Sequence, residues 1–360
     1  MLERFGLKKL FNEGEGPKVV VGLSGGVDSS VSAAILKWQG YKVMGLFMRN
    51  WEEKNELGAC TTEADFADVK AVADNLGIDY YSVNFAKEYE RQVFKKFLEG
   101  LDQGWTPNPD VLCNREIKFG HFAKYAKNLG EFIATGHYAR VQDGRLYKGK
   151  DEGKDQSYFL CGVSKDQLDN VLFPVGGLLK SQVREIAELF ELPVAKKKDS
   201  TGICFIGERK FREFLRNYFG NQEGDIVTAD GRVVGRHIGL MYYTIGQKKG
   251  LGIGGRADAR QGEGWIVVDK DLKEKKLVVC NGECEELFSK ELTVSEFSWI
   301  NNGVPTSAKI RYRQQDQACK VVGNRVIFEK PQRAVTLGQW VVLYNGDECL
   351  GGGVINGRVA

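Results

Sequence analysis

The spacing of apolar residues changes period as the chain proceeds. Lys18-Val19-Val20-Val21-Gly22-Leu23 is an unbroken β-branched run, the pattern of a strand covered on both faces. Val31, Ala34, Ile35 and Trp38 then recur at helical spacing as far as Gly40, which is placed like a C-cap. The same reading predicts strands over 41–48, 80–84 and 132–135, with helices over 63–76, 87–101 and 116–129 between them. Strands alternating with helices imply an α/β doubly wound parallel sheet, which binds ligands at the carboxyl ends of its strands. A further strand is expected over 159–161 and a helix over 180–190.

Beyond residue 207 the pattern shifts. A helical stripe of Phe211, Phe214, Leu215 and Tyr218 is followed by hairpin signals, one of them around Asp230-Gly231. From about Cys280 short strands dominate, over 292–294, 308–312, 318–322, 325–328, 339–344 and 350–355, which suits a small β-barrel. Three domains are expected: 1–207, a small central one at 208–279, and a C-terminal barrel at 280–360. Gly250-Leu251-Gly252-Ile253-Gly254-Gly255 matches a dinucleotide fingerprint in letters only; without a strand before it and a helix after it, it reads as a loop.

Composition narrows the class. The 360 residues are 42% hydrophobic and 28% charged, ordinary for a soluble domain assembly, and long enough for more than one core. A net charge of +3 means that any nucleic-acid partner would have to meet locally clustered basic residues. No run is long and apolar enough for a transmembrane helix, so no membrane partner is expected. The first 17 residues carry Glu3, Glu13 and Glu15, unlike a signal peptide, and a cytoplasmic enzyme is expected. The eight cysteines then read as reduced thiols. Cys280 and Cys284 form the only close pair, and no second pair beside them suggests zinc.

The densest chemistry lies at Ser24-Gly25-Gly26-Val27-Asp28-Ser29-Ser30, between the first strand and the first helix. Glycines admit a ligand close to the backbone, free N–H groups at the helix start attract phosphate, and the serines add donors. Asp28 is a candidate magnesium ligand. There is no lysine between Gly22 and Ser32, which excludes a Walker A loop. The second strand ends in Phe47-Met48 rather than in a ribose-binding acid, which suits an adenine face. The stretch resembles the SGGxDS loop of the ATP pyrophosphatases (PP-loop, adenine nucleotide α-hydrolase-like), which cleave ATP between the α and β phosphates and adenylate a substrate.

Two further loops end in cysteine. Gln103 to Asn114 contains Pro107 and Pro109, so a stiff loop is expected, ending at Cys113 just before a helix opened by Asn114 or Arg115. A thiol at a helix mouth beside Arg115 would be exposed and favour the thiolate. Lys196-Lys197-Lys198-Asp199-Ser200-Thr201-Gly202 leads to Cys204 in a second polar loop.

With these loops in place the chain resembles the tRNA-specific 2-thiouridylases over essentially its whole length. The matching stretches are Gly22 to Ser29, Gly45 to Trp51, Thr106 to Phe119, Ala134 to Tyr138, Lys154 to Phe159 and Asp199 to Gly207. The resemblance implies ATP-dependent conversion of the wobble uridine, position 34 of certain tRNAs, to 2-thiouridine. Gly22, Leu23, Ser24, Gly25, Gly26, Val27, Asp28, Ser29, Met48 and Gly136 would hold ATP, with Mg2+ as its companion ion and no metal cluster. Cys204 would carry sulfur as a persulfide, and Cys113 would attack it or otherwise help release it, leaving a Cys113–Cys204 disulfide. Asp110 is a candidate acid/base. Asn108, Pro109 and Asp110 would meet the target base, and His137, Lys154, Asp155, Gln156, Arg311, Tyr312 and Gln339 the tRNA. Arg311-Tyr312-Arg313-Gln314 has the basic–aromatic alternation of a strand that meets RNA. The sulfur donor would be a cysteine desulfurase or a relay protein. Two other classes remain: a PP-loop amide ligase, for which no ammonia source is visible, and an RNA-binding module with a relict ATP loop, which would be expected to have lost Asp28, Cys113 or Cys204.

Overall fold

The computed structural model describes residues 1–51, 61–199, 211–254 and 263–359. Cys60 and Cys204 lie outside the described residues. The first sheet runs Asp79–Asn84, Lys42–Arg49, Lys18–Leu23, Phe132–Ala134, Val171–Leu172, with every pairing parallel. Because side chains alternate along a strand, Val19, Val21 and Leu23 pack on one face with the helices Val27–Trp38 and Lys180–Leu189. Val20 packs on the other face with Phe94, Phe97, Ile117 and Phe122. The strand order reverses at Lys18–Leu23, so the crevice for a ligand opens between its carboxyl end and that of Phe132–Ala134.

Two helical stretches cover the second face. Residues 86–102 are helical throughout, with a π segment at Glu90–Phe94. The other begins at Pro109–Leu112, continues as a π-helix over Cys113–Phe122 and ends in Ala123–Ala126. It therefore starts several residues before the position expected from periodicity. The Asn108 side chain caps it, accepting from the N–H groups of Asp110 and Val111, and Pro109 sits at the first position, where a missing N–H is harmless.

Residues 157–160 form a helical turn, Ser157–Leu160, and not the expected strand. The Asp155 carboxylate accepts from the Ser157 N–H at 3.1 Å and from its hydroxyl at 3.0 Å, opening a turn that an apolar run of this length does not by itself forbid.

The central sheet runs Trp265–Asp271, Lys276–Asn281, Gly224–Thr228, Val233–His237, and contains the hairpin expected around Asp230-Gly231. The C-terminal strands are Phe288–Trp299, Arg325–Arg333, Gln317–Val322, Ser307–Lys309, Trp340–Asn345 and Glu348–Val359 in spatial order. Phe288–Trp299 also pairs with Glu348–Val359, which closes a six-stranded barrel around Leu292, Val294, Val326, Phe328, Val341 and Leu343. A hairpin of Ala139–Gln142 and Arg145–Lys148 from the first unit joins its outer edge through Leu146 and Cys349.

Two expectations fail in this half. Strand Ser307–Lys309 stops before Arg311, and Arg311 to Arg313 turn back on themselves, with Arg313 at φ 64° and the Gln314 side chain accepting from the Ile310 N–H at 2.8 Å. Cys280 and Cys284 are not reduced thiols but a disulfide. The intervening turn, with Gly282 at φ 78°, brings their Cα atoms to 6.5 Å, within bonding range.

Candidate active site

The Ser24–Ser30 loop is wired largely to itself. The Ser29 hydroxyl accepts from the Ser24 N–H at 3.2 Å and lies 3.1 Å from the Ser24 hydroxyl, while the Ser30 hydroxyl donates to the Gly26 carbonyl at 2.8 Å. Gly25 sits at φ +72°, and a Cβ there would lie 2.5 Å from the Asp65 carbonyl oxygen, so only glycine fits. Gly136, at the end of the neighbouring strand, is equally constrained: its Cβ would lie 2.6 Å from the Ser29 nitrogen. The two glycine positions therefore bring the crossover from the next strand against the start of the helix, where backbone N–H groups gather. That concave surface fits a polyphosphate. Gly22, Leu23 and Val27 are buried beneath it, and Met48, half-buried, ends the adjacent strand as an apolar surface for a base.

Asp28 faces outward from the loop. One of its carboxylate oxygens accepts from the Tyr138 hydroxyl at 2.8 Å and from Lys180 Nζ at 2.6 Å. Among the described residues no group of three or more His, Cys, Asp or Glu is placed to hold a metal ion. A magnesium ion bound mainly by phosphates and water needs only one such carboxylate, so Asp28 fits that role.

Lys180 also meets Asp199 at 2.8 Å, where Lys154 at 2.6 Å and Arg184 at 2.7 Å converge. Burial alone would raise the Asp199 carboxyl, but hydrogen bonds from Lys154 and Lys180 outweigh it and hold it well below the ordinary carboxylate range. Lys197 donates to the Gly25 carbonyl at 3.0 Å and to Asp65 and Asp68, which ties the polar loop before Cys204 to the phosphate loop. Tyr138, Lys197 and Asp199 lie in stretches that the sequence singles out and Lys180 does not, and only the fold brings all four to the phosphate loop.

The second loop is held from the other two sheets. From the barrel, the Leu337 carbonyl accepts from the Thr106 N–H at 2.8 Å and the Gln339 side chain donates to the Thr106 carbonyl at 2.7 Å. From the central sheet, Lys270 donates to the Gly104 carbonyl at 2.8 Å. Cys113 lies a full turn inside the helix and is 1% exposed, in the cluster that also gathers Met48, Ile117 and Phe122. The expected exposed thiol at a helix mouth is thus wrong, because Asn108 starts the helix early and turns Cys113 into the core. Phe122 of the same helix approaches Gly22 below the phosphate loop; a Cβ on Gly22 would lie 3.3 Å from its ring. Asp110 and Asn108 are half-buried at the helix start, and Pro109 is buried. The Asn114 side chain donates to the Phe159 carbonyl at 2.9 Å.

The residues expected to meet tRNA are largely engaged internally. Asp155 is buried and accepts from Gly149 and Ser157. Gln156 pairs with Tyr138 through both backbone and side chain. Lys154 is taken by Asp199. His137 is buried, bonded to the Thr135 hydroxyl at 2.7 Å; burial and then the Lys118 charge push its pKa well below 6.5, so its ring is neutral at neutral pH. Arg311 donates to the Arg333 and Ala334 carbonyls, and the Tyr312 ring lies 4.5 Å from that of Phe159. Tyr312 ties the barrel to residues 157–160 while Arg311 bonds within the barrel, and neither stands on a strand face.

Three family models match in succession: a tRNA methyl transferase HUP domain over residues 17–208, a tRNA methyl transferase PRC-barrel domain over 212–281, and an aminomethyltransferase beta-barrel domain over 289–355. Among curated relatives, the tRNA-specific 2-thiouridylase MnmA of Pseudomonas fluorescens is 55% identical over 353 residues, 94% of each chain. That of Streptococcus mutans is 53% identical over 355 residues, 94% of this chain and 95% of the other. Among solved structures the U34-tRNA thiolase NcsA from Methanococcus maripaludis superposes with a TM-score of only 0.37 at 20% identity, over 60% of this chain and 68% of that one, too low to weigh. At more than half identity over nearly the full length, the chain belongs to the tRNA-specific 2-thiouridylase family.

Proposed function

We propose that this protein is an ATP-dependent tRNA sulfurtransferase of the cytoplasm that converts the wobble uridine to 2-thiouridine. What supports this reading is that the helix carrying Cys113 brings Phe122 against Gly22, on the strand that leads into the phosphate loop. A carbonyl oxygen is a poor leaving group, so O2 of the uracil first attacks the α phosphorus of ATP and pyrophosphate departs. The loop from Gly22 to Ser29 holds the phosphates, with Met48 and Gly136 at the adenosine. Asp28 would hold a magnesium ion, which neutralises phosphate charge. Asn108, Pro109 and Asp110 stand at the mouth of the Cys113 helix, where a base splayed out of the anticodon would enter, with Asp110 the candidate acid/base.

Sulfur arrives as a persulfide on Cys204 from a desulfurase or relay protein. If the Cys113 thiolate attacks the inner sulfur, the S–S bond to the outer sulfur breaks and hydrosulfide leaves. Hydrosulfide then adds at C2 and expels AMP, and the Cys113–Cys204 disulfide awaits an external thiol reductant. If instead the outer sulfur adds to C2 and expels AMP first, attack by Cys113 on the inner sulfur breaks the S–S bond, releases the thiolated base and yields the same disulfide. Since Cys113 is buried, either route requires bound tRNA to open a path to its sulfur.

The test is mass spectrometry of the wobble nucleoside after incubation with ATP, magnesium, unmodified tRNA and a persulfide donor. The expected result is 2-thiouridine, with one AMP formed per sulfur inserted. AMP formation without any thiolated nucleoside would overturn the reading. The amide-ligase alternative predicts AMP formation that depends on ammonia and not on tRNA.

A further inference from the structure

A triphosphate carries several negative charges, yet the only charged residue in the Ser24–Ser30 loop is an acid, Asp28. The fold supplies the missing cation from 152 residues further along. Lys180 is the first residue of the helix Lys180–Leu189; its side chain is 14% exposed, and its ammonium sits 2.6 Å from Asp28 and 5.8 Å from the centre of the Tyr138 ring. That places a lysine over the mouth of the loop. Lysine serves phosphates as a compact point charge on a flexible stem, which suits a group that changes partners.

The surroundings allow Lys180 to leave its present partners. Asp28 keeps the Tyr138 hydroxyl at 2.8 Å. Asp199 keeps Lys154 at 2.6 Å and Arg184 at 2.7 Å. Neither carboxylate would be orphaned if the ammonium moved, so the contact with Asp28 is not needed to satisfy a buried acid. The Lys180 backbone N–H is meanwhile fixed by Asp151 at 2.8 Å, which anchors the stem while the ammonium swings.

We propose that Lys180 is a triphosphate-binding residue that exchanges Asp28 for the β and γ phosphates of ATP. As uracil O2 bonds to the α phosphorus and the bond to the bridging oxygen breaks, the electron pair passes to pyrophosphate, and Lys180 stabilises that charge without giving up a proton. This rests on the nucleotide reading given above for the Gly22–Ser29 loop.

The test compares binding of ATP, pyrophosphate and AMP to the full chain with Lys180 intact, in Lys180→Gln and in Lys180→Arg. Lys180→Gln is expected to weaken ATP and pyrophosphate at least about 10-fold, to leave AMP within twofold, and to slow tRNA-dependent pyrophosphate release about 100-fold. Lys180→Arg, which keeps the charge, should recover most of the affinity, and Asp199→Asn should retain the preference for ATP over AMP. Equal losses for ATP and AMP, or unchanged ATP affinity in Lys180→Gln, would overturn the role of Lys180. Should Lys180→Gln fail to fold, failure of Lys180→Arg to bind ATP more tightly than AMP overturns it as well. Absence of ATP binding by the unsubstituted chain would instead sink the nucleotide reading on which this rests.

Discussion

The phosphate loop and the proline-rich loop serve the same sheet, yet they are held in opposite ways. Ser24, Gly26, Ser29 and Ser30 bond among themselves within seven residues, and the loop's outside neighbours, Gly136, Tyr138, Lys180 and Lys197, all come from the same doubly wound unit. The stretch from Gly104 to Asn108 is instead gripped by Lys270 of the central sheet and by Leu337 and Gln339 of the barrel. A close approach reinforces that grip: a Cβ on Gly338, at φ +85°, would lie 2.8 Å from Cβ of Trp105. The nucleotide step therefore depends on local geometry, and the position of Cys113 on all three units. Damage to one should spare the other.

The largest effect is expected at the proline-rich loop's cysteine. Cys113→Ser should reduce thiouridine formation by at least about 10³-fold, because a hydroxyl cannot attack a persulfide sulfur or form the disulfide. ATP binding and tRNA-dependent pyrophosphate release should persist. Loss of pyrophosphate release in this variant would show that the two loops are not separable. Next comes Gly25→Ala, which forces a Cβ against the Asp65 carbonyl at a left-handed backbone position; strain of about 1–3 kcal/mol is expected there. ATP affinity should fall about 10- to 100-fold, while tRNA binding, measured by filter retention, should hold.

This contrast also explains what could be read from the chain. The phosphate loop, the strands beside it and the barrel were legible because each is specified by neighbours in sequence: β-branched runs, glycines and turn pairs. Cys113 was legible as a reactive candidate but not as a buried one. Its burial depends on Asn108 capping the helix early and on Phe94 and Phe97 contributed from another helix. Arg311 failed for a related reason. Alternation suggests a strand, but Gln314 folds the chain into a turn and the guanidinium finds the carbonyls of residues 333 and 334. Residues 157–160 were too short a run for periodicity to choose between strand and helix. Lys180 left no signal at all, since a lysine at a helix start is unremarkable until the sheet brings Asp28 to it.

A third substitution sharpens the comparison from the far side. Gln339→Leu removes the 2.7 Å bond to the Thr106 carbonyl and leaves that oxygen short of a donor, at a cost of about 1–3 kcal/mol to the loop's placement. At saturating tRNA, thiouridine formation should fall about 10-fold with ATP affinity unchanged. A direct tRNA contact by Gln339 would instead appear as weakened tRNA binding with an unchanged rate at saturation. Kinetics over a range of tRNA concentrations therefore separate positioning from recognition.

The smallest effect on turnover is expected at Lys270, and it shows most clearly in stability against pH. Burial lowers its pKa from 10.5 to about 8, only partly offset by the Asp269 charge. Below about pH 8 the lysine is charged in both folded and unfolded chains, and folding carries the full penalty of burying it. Between about pH 8 and 10.5 the folded protein has released the proton while the unfolded chain retains it. The unfolded state then binds more protons, so stability rises with pH across that window, by at most about 3 kcal/mol. Above it both states are neutral and the gain levels off. Lys270→Met deletes the titration together with the bond to the Gly104 carbonyl. These losses oppose one another at neutral pH, so turnover there should change by no more than about twofold. Urea unfolding of both proteins from pH 7 to 11 provides the check: the stability of the unsubstituted protein relative to Lys270→Met should climb between pH 8 and 10.5. A difference that stays flat, or falls, would mean that Lys270 does not reach the proline-rich loop as a desolvated cation, and that the central sheet does not grip this loop through a buried charge.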